Sequence, residues 1–265
     1  MNKLGKTIII WAVIFVVSTA IGGALFLTST EFIDYTTGNY DSVQVNDSLV
    51  LPFGDLEINS LSTDIEIIET DSNMVKVELV GRYTEGSYAN SPRLEILEGE
   101  KNTVVNIVYP KYKLVLGFAQ NRLKLNVYVP KGFTNELYLS TASGDVDGAN
   151  FEAGSLKIKT LSGNAKIMNL NSDYLEVSSA SGDVDLENAI TDRINTISGN
   201  VKINSFIERN LNVKTVSGDV KINDLGNKKF RVYFESVSGD SNDLSVFGGE
   251  RIIDVKTTSG NLYVA

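Results

Sequence analysis

A three-residue motif, Ser-Gly followed by Asp or Asn, recurs seven times in the second half of the chain and constrains the fold more than any other feature. Between serines the spacings are 19, 19, 17, 19, 21 and 21 residues. A period of this length is typical of repeat architectures, in which small units stack because none can bury its apolar face alone. The second and third residues of the seven motifs, which we interpret as structural corners, are Gly144, Asp145, Gly163, Asn164, Gly182, Asp183, Gly199, Asn200, Gly218, Asp219, Gly239, Asp240, Gly260 and Asn261.

Each motif lies between two segments in which apolar and polar residues alternate, as in β-strands with one buried face. In the fifth copy, Val213 precedes the motif and Val220 follows it at an odd step. A straight strand would turn one of the two outward, so the chain must bend at the motif. We expect glycine to allow positive φ there and the Asp or Asn to bond the local backbone in an Asx-turn. The sequence therefore predicts an all-β fold, a parallel β-solenoid of about 19-residue rungs over residues 133–265.

Charges in the repeats fit parallel stacking, in which equivalent residues of successive rungs become neighbours about 4.8 Å apart. The corner residue alternates between Asp and Asn except at Asp219 and Asp240, which follow one another along the sequence. A cross-strand ladder favours opposite charges and disfavours like charges. The outward position two residues after the corner alternates in sign over its first four members, which with the fifth are Asp147, Lys166, Asp185, Lys202 and Lys221.

The section before the repeats, residues 46–132, has strand patterns but no regular motif, and we interpret it as a β capping section for the first rung. Its segment 62–67 resembles a degenerate copy of the repeat. Tyrosines are frequent in this section, and they could stack on sugars or pack in the core. The aromatic residues concerned are Tyr83, Tyr88, Tyr109, Tyr112, Phe118 and Tyr128.

The first part of the chain predicts a membrane anchor. Residues 7–27 contain no charge and as a helix would span roughly 31 Å, the thickness of a bilayer core. Lys3 and Lys6 precede this segment and acidic residues follow it, so residues 1–6 form a predicted cytoplasmic tail. Residues 28–45 read as a polar extracellular linker to an extracellular C-terminus. A cleaved signal peptide is the alternative, although its apolar region is usually shorter.

The composition excludes several chemistries. The chain contains no His and no Cys, so it has no Ser-His-Asp triad, no Cys/His zinc site and no disulfide framework. Beyond the predicted anchor, 22 basic residues face 33 acidic ones, a formal charge of −11, which disfavours binding to nucleic acid.

We predict no catalytic residue, no cofactor and no metal site. Two alternatives remain open: calcium at the corner carboxylates, and a glycosidase pair formed by Asp147 and Asp185 about 9.6 Å apart.

Two stretches carry a resemblance to a known family. They are the segment 125–132, which reads LNVYVPKG, and the segment 137–145, which reads LYLSTASGD and leads into the repeats. Together they resemble the bacterial putative-adhesin family of β-strand-repeat domains, which also occur in membrane proteins of Lia-type envelope-stress systems of Gram-positive bacteria. The resemblance covers about residues 45–265 and implies a β-rich extracytoplasmic protein linked to the cell surface. It supplies no catalytic residues.

These features together predict a single-pass membrane protein that works by binding, adhesion or scaffolding and not by turnover. Its expected partners are the membrane, a cell-wall polymer or another envelope protein, and a second copy joined through the C-terminal edge. A carbohydrate-active enzyme on cell-wall polysaccharide and a regulatory partner of a membrane sensor are the alternatives.

Overall fold

The computed structural model describes residues 42–51, 54–84, 91–98, 102–109, 122–205, 209–224, 230–242 and 249–265. Within these ranges the chain forms β-strands and no helix, so the all-β prediction is confirmed. No helix in the described part of the chain is long and apolar enough to cross a membrane. The predicted anchor, residues 7–27, and the predicted tail, residues 1–6, lie outside the described residues.

The described strands are short and follow one another closely. In the first part of the chain they are β1 (Ser42–Leu51), β2 (Asp55–Ser60), β3 (Asp64–Thr70), β4 (Val75–Thr84), β5 (Arg93–Glu98), β6 (Asn102–Val108) and β7 (Arg122–Pro130). In the repeats they are β8 (Glu136–Thr141), β9 (Val146–Thr160), β10 (Ala165–Ser179), β11 (Val184–Ala189), β12 (Arg193–Thr196), β13 (Val201–Ser205), β14 (Leu211–Lys214), β15 (Val220–Asp224), β16 (Phe230–Glu235), β17 (Arg251–Lys256) and β18 (Leu262–Val264).

The strands stack in two parallel columns that meet at the Ser-Gly corners. The pre-corner column runs β6, β2, β8, β9, β10, β12, β14, β17, β16, with β9 and β10 contributing their second halves. The post-corner column runs β7, β3, β9, β10, β11, β13, β15, β18, with β9 and β10 contributing their first halves. A rung is one strand from each column, and the predicted parallel solenoid is confirmed in this form.

The core is a continuous apolar interior between the two columns. In the fifth repeat Val213 and Val220 are both buried although their positions differ by an odd number, seven, as the predicted bend at the corner requires. Their register partners on the neighbouring rung, Ile194 beside Val213 and Val201 beside Val220, are also apolar and buried. Each added rung therefore extends one shared core, which is the main source of stability in a stack of this kind.

The order of rungs departs from the order of the sequence at both ends, which corrects the prediction that successive copies lie one on another. The seventh copy, β17 and β18, lies between the fifth copy and the sixth. At the other end, β2 and β3 lie between the rung of β6 and β7 and the rung of β8 and β9. The exchange places Asn261 between Asp219 and Asp240, so their two carboxylates are not stacked in direct succession.

An antiparallel cap covers the first rung. Strand β4 pairs with β7 and with β1, and β5 pairs with β6, in each case antiparallel. The predicted capping section thus contains this cap together with two rungs of the solenoid. Of the predicted linker, the last four residues, 42–45, begin β1, and the rest lies outside the described residues.

Candidate binding face

The corner Asp and Asn side chains form one hydrogen-bonded ladder along the stack. The backbone N–H of each corner residue donates to Oδ1 of the corner residue on the preceding rung, with nitrogen–oxygen distances of 2.7–3.0 Å. The expected local Asx-turn is therefore replaced by a bond between rungs, because the neighbouring amide lies directly above the side chain. In spatial order the ladder runs Asp64, Asp145, Asn164, Asp183, Asn200, Asp219, Asn261 and Asp240.

The corner glycines are required by close approach more than by their dihedral angles. Among the seven, Gly218 has positive φ, at 148°, and the expectation of positive φ is wrong for the other six. A Cβ atom at any of the seven would lie 1.8–2.3 Å from a backbone carbonyl oxygen of the adjacent rung. No side chain fits at that distance, so each glycine allows the next rung to approach.

A hydroxyl three residues before the glycine completes four of the corners. The N–H of Gly144 donates to Thr141 Oγ1 at 3.0 Å, and the next three rungs repeat this bond with a Thr or Ser. In the fifth, sixth and seventh copies the equivalent hydroxyls, Thr215, Ser236 and Thr257, are buried without a hydrogen-bond partner. The first four corners thus use this hydroxyl within the fold, and the last three do not.

A second corner on each of three rungs was not predicted. Asn150, Asn169 and Asn188 adopt left-handed backbone angles, with φ of 56°, 50° and 46°. The side-chain amide of Asn169 donates to Asn150 Oδ1 at 2.7 Å, and that of Asn188 donates to Asn169 Oδ1 at 2.9 Å. Asn tolerates this conformation better than most residues. The sequence signal for these corners was three asparagines spaced 19 residues apart. Each asparagine is followed by an apolar residue that is buried in the structure.

The outward side chains of the post-corner column form what we call the ladder face, defined by Glu66, Asp147, Lys166, Asp185, Lys202 and Lys221. The strand register places these residues next to one another in that order. For the residues from Asp147 onward, this is the order predicted from the sequence. Lys202 approaches Asp185 at 3.6 Å, and Lys124 approaches Glu66 at 2.6 Å. The result is a flat surface on which both signs of charge are fixed at regular intervals.

A shallow groove of about 610 Å³ lies on the ladder face near the capped end. Its charged rim includes Glu66, Asp147 and Lys166, together with Asp71 and Lys131, whose charged atoms lie 2.6 Å apart. Its floor includes apolar side chains that are in register across three rungs, namely Ile68, Ala149 and Met168.

Two acidic residues of the groove, Asp147 and Asp71, have pKa values shifted in opposite directions. Partial burial raises the pKa of Asp147 above its ordinary value, and the Asp145 carboxylate adds to the rise while Lys124 and Lys166 oppose it. At the rim, a hydrogen bond from Lys131 lowers the pKa of the Asp71 carboxyl. The groove therefore offers carboxylate acceptors, ammonium donors and an apolar floor to one ligand. Among the described residues, no group of three or more acidic side chains is arranged to hold a metal ion.

The described tyrosines of the capping section lie in separate places. Tyr83 and Tyr109 line a cavity of about 340 Å³ with Arg122 and Lys124. Tyr128 lies elsewhere, donating to Glu78 at 3.1 Å and facing the ammonium of Lys76. Tyr83 is buried and Tyr109 is half-buried, which fits the packing role weighed from the sequence. The other three aromatic residues of that hypothesis, Tyr88, Tyr112 and Phe118, lie outside the described residues.

Comparison with solved structures finds similar chains at low identity, and the first of those that follow shares the fold. A putative adhesin from Bacteroides fragilis is 13% identical, with a TM-score of 0.52 over 87% of this chain and 100% of that chain. A putative lipid binding protein from Parabacteroides distasonis is 16% identical, with a TM-score of 0.49 over 87% of this chain and 99% of that one. A putative adhesin from Parabacteroides merdae is 12% identical, with a TM-score of 0.48 over 88% and 99%. No curated protein matches the chain.

A family model gives the assignment. The model described as Toastrack DUF4097 matches residues 53–265, which include every corner, both columns of the solenoid and the ladder face. This match covers well over half of the sequence and agrees with the family resemblance read from the repeats. The chain belongs to the Toastrack DUF4097 family.

Proposed function

We propose that this protein is a membrane-anchored, extracytoplasmic β-repeat module that binds a partner without turnover, in adhesion or as a scaffold in the envelope-stress response. The observation that supports the proposal most is the ladder face, where the stack holds charged side chains in register and their sign alternates from Asp147 to Lys202. Such a surface recognises an extended partner through many weak contacts at a fixed spacing. The uncharged segment 7–27 would hold it at the cell membrane.

The groove is the part of the ladder face that we expect to contribute most. Its charged rim can hydrogen-bond the hydroxyl, amide or ammonium groups of a polymer, and the floor of Ile68, Ala149 and Met168 can contact an apolar part of it. Hydrogen bonds to charged groups contribute more than neutral ones, about 1.5–3 kcal/mol each when water is excluded. A cell-wall polymer and an extended segment of an envelope protein both satisfy this chemistry.

A binding experiment with a matched control tests this proposal. The full chain, in detergent, is cosedimented with purified cell wall and separately applied to solubilised envelope proteins. The variant Asp147→Asn/Lys166→Gln removes a cross-rung charge pair from the groove without changing the net charge. The control variant Glu176→Gln/Arg193→Gln removes a similar cross-rung pair, 3.9 Å apart, from the pre-corner column.

We expect the groove variant to bind about tenfold or more weakly, which corresponds to roughly 1.4 kcal/mol, and the control variant to bind like the parent. Equal loss in both variants, or no binding by the parent to either fraction, would contradict the proposed binding face.

A carbohydrate-active enzyme is the second candidate, because burial raises the pKa of Asp147, which is the direction of shift that a general acid requires. Asp185 lies two rungs away on the same face, roughly 9.6 Å by the spacing of strands. Incubation of the full chain with cell wall, followed by measurement of new reducing ends, separates the two functions. Our proposal predicts none, whereas release that disappears in Asp147→Asn and Asp185→Asn would establish the enzyme.

A further inference from the structure

The two ends of the solenoid differ. The first rung is covered by the antiparallel cap, in which β4 pairs with β7 and β5 pairs with β6. At the other end, β16 has one described pairing partner, β17, whereas β17 is paired on both sides. An unpaired edge strand offers a row of backbone donors and acceptors to another strand.

The apolar side chains of β16 are covered less than those of the rungs inside the stack. Val232 and Phe234 point toward the interior but are only half-buried. Their register partners on β17, Ile253 and Val255, are fully buried. The interior at this end is therefore incomplete, and a strand added beyond β16 would cover Val232 and Phe234 further.

The backbone of β16 limits how an added strand can pair. The N–H of Thr257 donates to the carbonyl of Glu235 at 2.9 Å, so the peptide groups of Glu235 face β17. In a parallel strand the N–H and C=O of one residue point to the same side, and successive residues alternate between the two sides. Glu235, Tyr233 and Arg231 therefore direct their N–H and C=O toward β17, whereas Phe234 and Val232 direct theirs away from it. An antiparallel strand must place its own outward-directed residues opposite Val232 and Phe234.

The charges of β16 complement a second β16 in one such register. Arg231, Tyr233 and Glu235 are exposed on the outer surface, with Tyr233 52% exposed. A two-fold axis through Tyr233 puts Arg231 of each copy opposite Glu235 of the other and Val232 opposite Phe234. Shifting the pairing to the next allowed register on either side places Arg231 or Glu235 opposite Tyr233. Shifting it once more places Arg231 opposite Arg231 or Glu235 opposite Glu235, and like charges destabilise an antiparallel pair.

We infer that a second copy of this chain docks on β16, antiparallel and centred on Tyr233, so that two solenoids join end to end through a two-fold interface. The arrangement makes two identical ion pairs, continues the sheet and covers Val232 and Phe234 of both copies. It leaves the two capped ends at opposite extremes of the dimer. The edge involved belongs to the sixth copy, since the C-terminal strand β18 pairs with β15 inside the stack.

A single introduced cysteine tests this interface, because the natural chain contains none. In a non-hydrogen-bonded antiparallel pair the opposite Cα atoms are about 4.5 Å apart, within the range of a disulfide. The variant Tyr233→Cys is oxidised in the full chain in native membranes, and covalent dimers are counted on a non-reducing gel. Tyr263→Cys is the matched control, because Tyr263 is 46% exposed but lies on the inner strand β18.

We expect Tyr233→Cys to form a dimer with itself and Tyr263→Cys to remain monomeric. Equal crosslinking of both variants, no dimer from Tyr233→Cys, or its capture of a different protein in place of a second copy would overturn the inference.

Charge exchange tests the register. It keeps the backbone of β16 but also removes the ion pair of Glu235 with Lys256, 3.4 Å long, and the hydrogen bond from Arg231 to the Gly249 carbonyl, so each single change is compared with the combined one. Added to Tyr233→Cys, either Arg231→Glu or Glu235→Arg alone places like charges opposite one another twice, and we expect roughly tenfold less dimer. The combined Arg231→Glu/Glu235→Arg change restores opposite charges and should restore the dimer. A thermal-unfolding scan checks that each variant is folded. Failure of the combined change to recover the dimer in a folded protein would exclude this register.

Discussion

At the scale of single residues, the repeat motif is explained by contacts between neighbouring rungs. Glycine is needed because the next rung's backbone occupies the space of a side chain, and Asp or Asn is needed because its Oδ1 accepts the next rung's amide. Neither requirement arises within one rung. A single motif is therefore weak evidence, whereas seven motifs at a regular spacing indicate a stack.

The glycine requirement predicts a large effect from one methyl group. In Gly182→Ala the new Cβ would lie 1.8 Å from the carbonyl oxygen of Gly163. Since backbone must move to relieve this contact, we expect a loss of at least about 3 kcal/mol in the free energy of unfolding, measured by urea denaturation. Gly54→Ala is the control, because nothing lies within 4 Å of its added Cβ, and its effect should stay below about 1 kcal/mol. Similar effects of both substitutions would contradict the close approach of rungs.

Asp147 predicts a pH dependence of stability. Because its pKa in the folded protein is raised above the ordinary value, the folded state binds the proton more tightly than the unfolded state. The resulting stabilisation is complete below the ordinary pKa of 3.8 and is lost as the pH rises through the raised value. We therefore expect Asp147→Asn to gain stability relative to the parent between acid and neutral pH, measured as the urea midpoint across that range. A variant that loses stability over the same interval would show that the Asp147 carboxylate is favoured in the fold.

At the scale of elements, the path of the chain depends on corners of two kinds, of which the second occurs on three rungs. The Ser-Gly corner joins the two columns, and the left-handed Asn turns the chain again four residues after the first residue of β9 and of β10. The strands themselves are ordinary alternating segments. The corners therefore decide where the chain leaves one column and enters the next.

The second corner predicts a difference between two substitutions at one position. Asn169→Ala loses the amide ladder and places a Cβ-bearing residue with no polar side chain at φ of 50°, so we expect a loss of about 2 kcal/mol. Asn169→Gly loses the same hydrogen bonds but tolerates the angle, so about half that loss is expected. Urea denaturation of both variants measures the difference. Equal losses would mean that the backbone angle contributes nothing.

The sequence was sufficient for the bend within one repeat and for the charges that stack from repeat to repeat, and insufficient for the backbone hydrogen-bond partners between rungs and for the order of the rungs. The bend at the motif followed from the parity of Val213 and Val220, and the ladder face followed from the signs of Asp147, Lys166 and Asp185. The expected Asx bonds are wrong in their donor, because the oxygen of an Asp or Asn side chain accepts equally well from a local N–H and from an N–H of the next rung. The Asn corners were not predicted because alternation of apolar and polar residues indicates a strand but does not mark a turn within it. Their spacing of 19 residues was nevertheless visible in the sequence.

At the scale of the whole molecule, the two rung exchanges place both terminal parts of the solenoid inside the stack. The seventh copy is held on both sides, by the fifth and the sixth, and the rung of β2 and β3 is held in the same way at the other end. The break in Asp and Asn alternation at Asp219 and Asp240 was the sequence signal for the first exchange. Stacking in sequence order leaves that break unexplained, whereas the exchanged order separates the two carboxylates by Asn261.

Crosslinking within one chain tests the parallel stack and its order most directly. Ser217 and Ser259 form a parallel bridge, so the pair Ser217→Cys/Ser259→Cys lies about 4.8 Å apart and within disulfide range. The pair Ser217→Cys/Ser238→Cys is separated by one intervening rung, roughly 9.6 Å, which is too far for a disulfide. We expect an intramolecular disulfide in the first variant and free thiols in the second, read by mass spectrometry after mild oxidation. A disulfide in the second variant and free thiols in the first would contradict it.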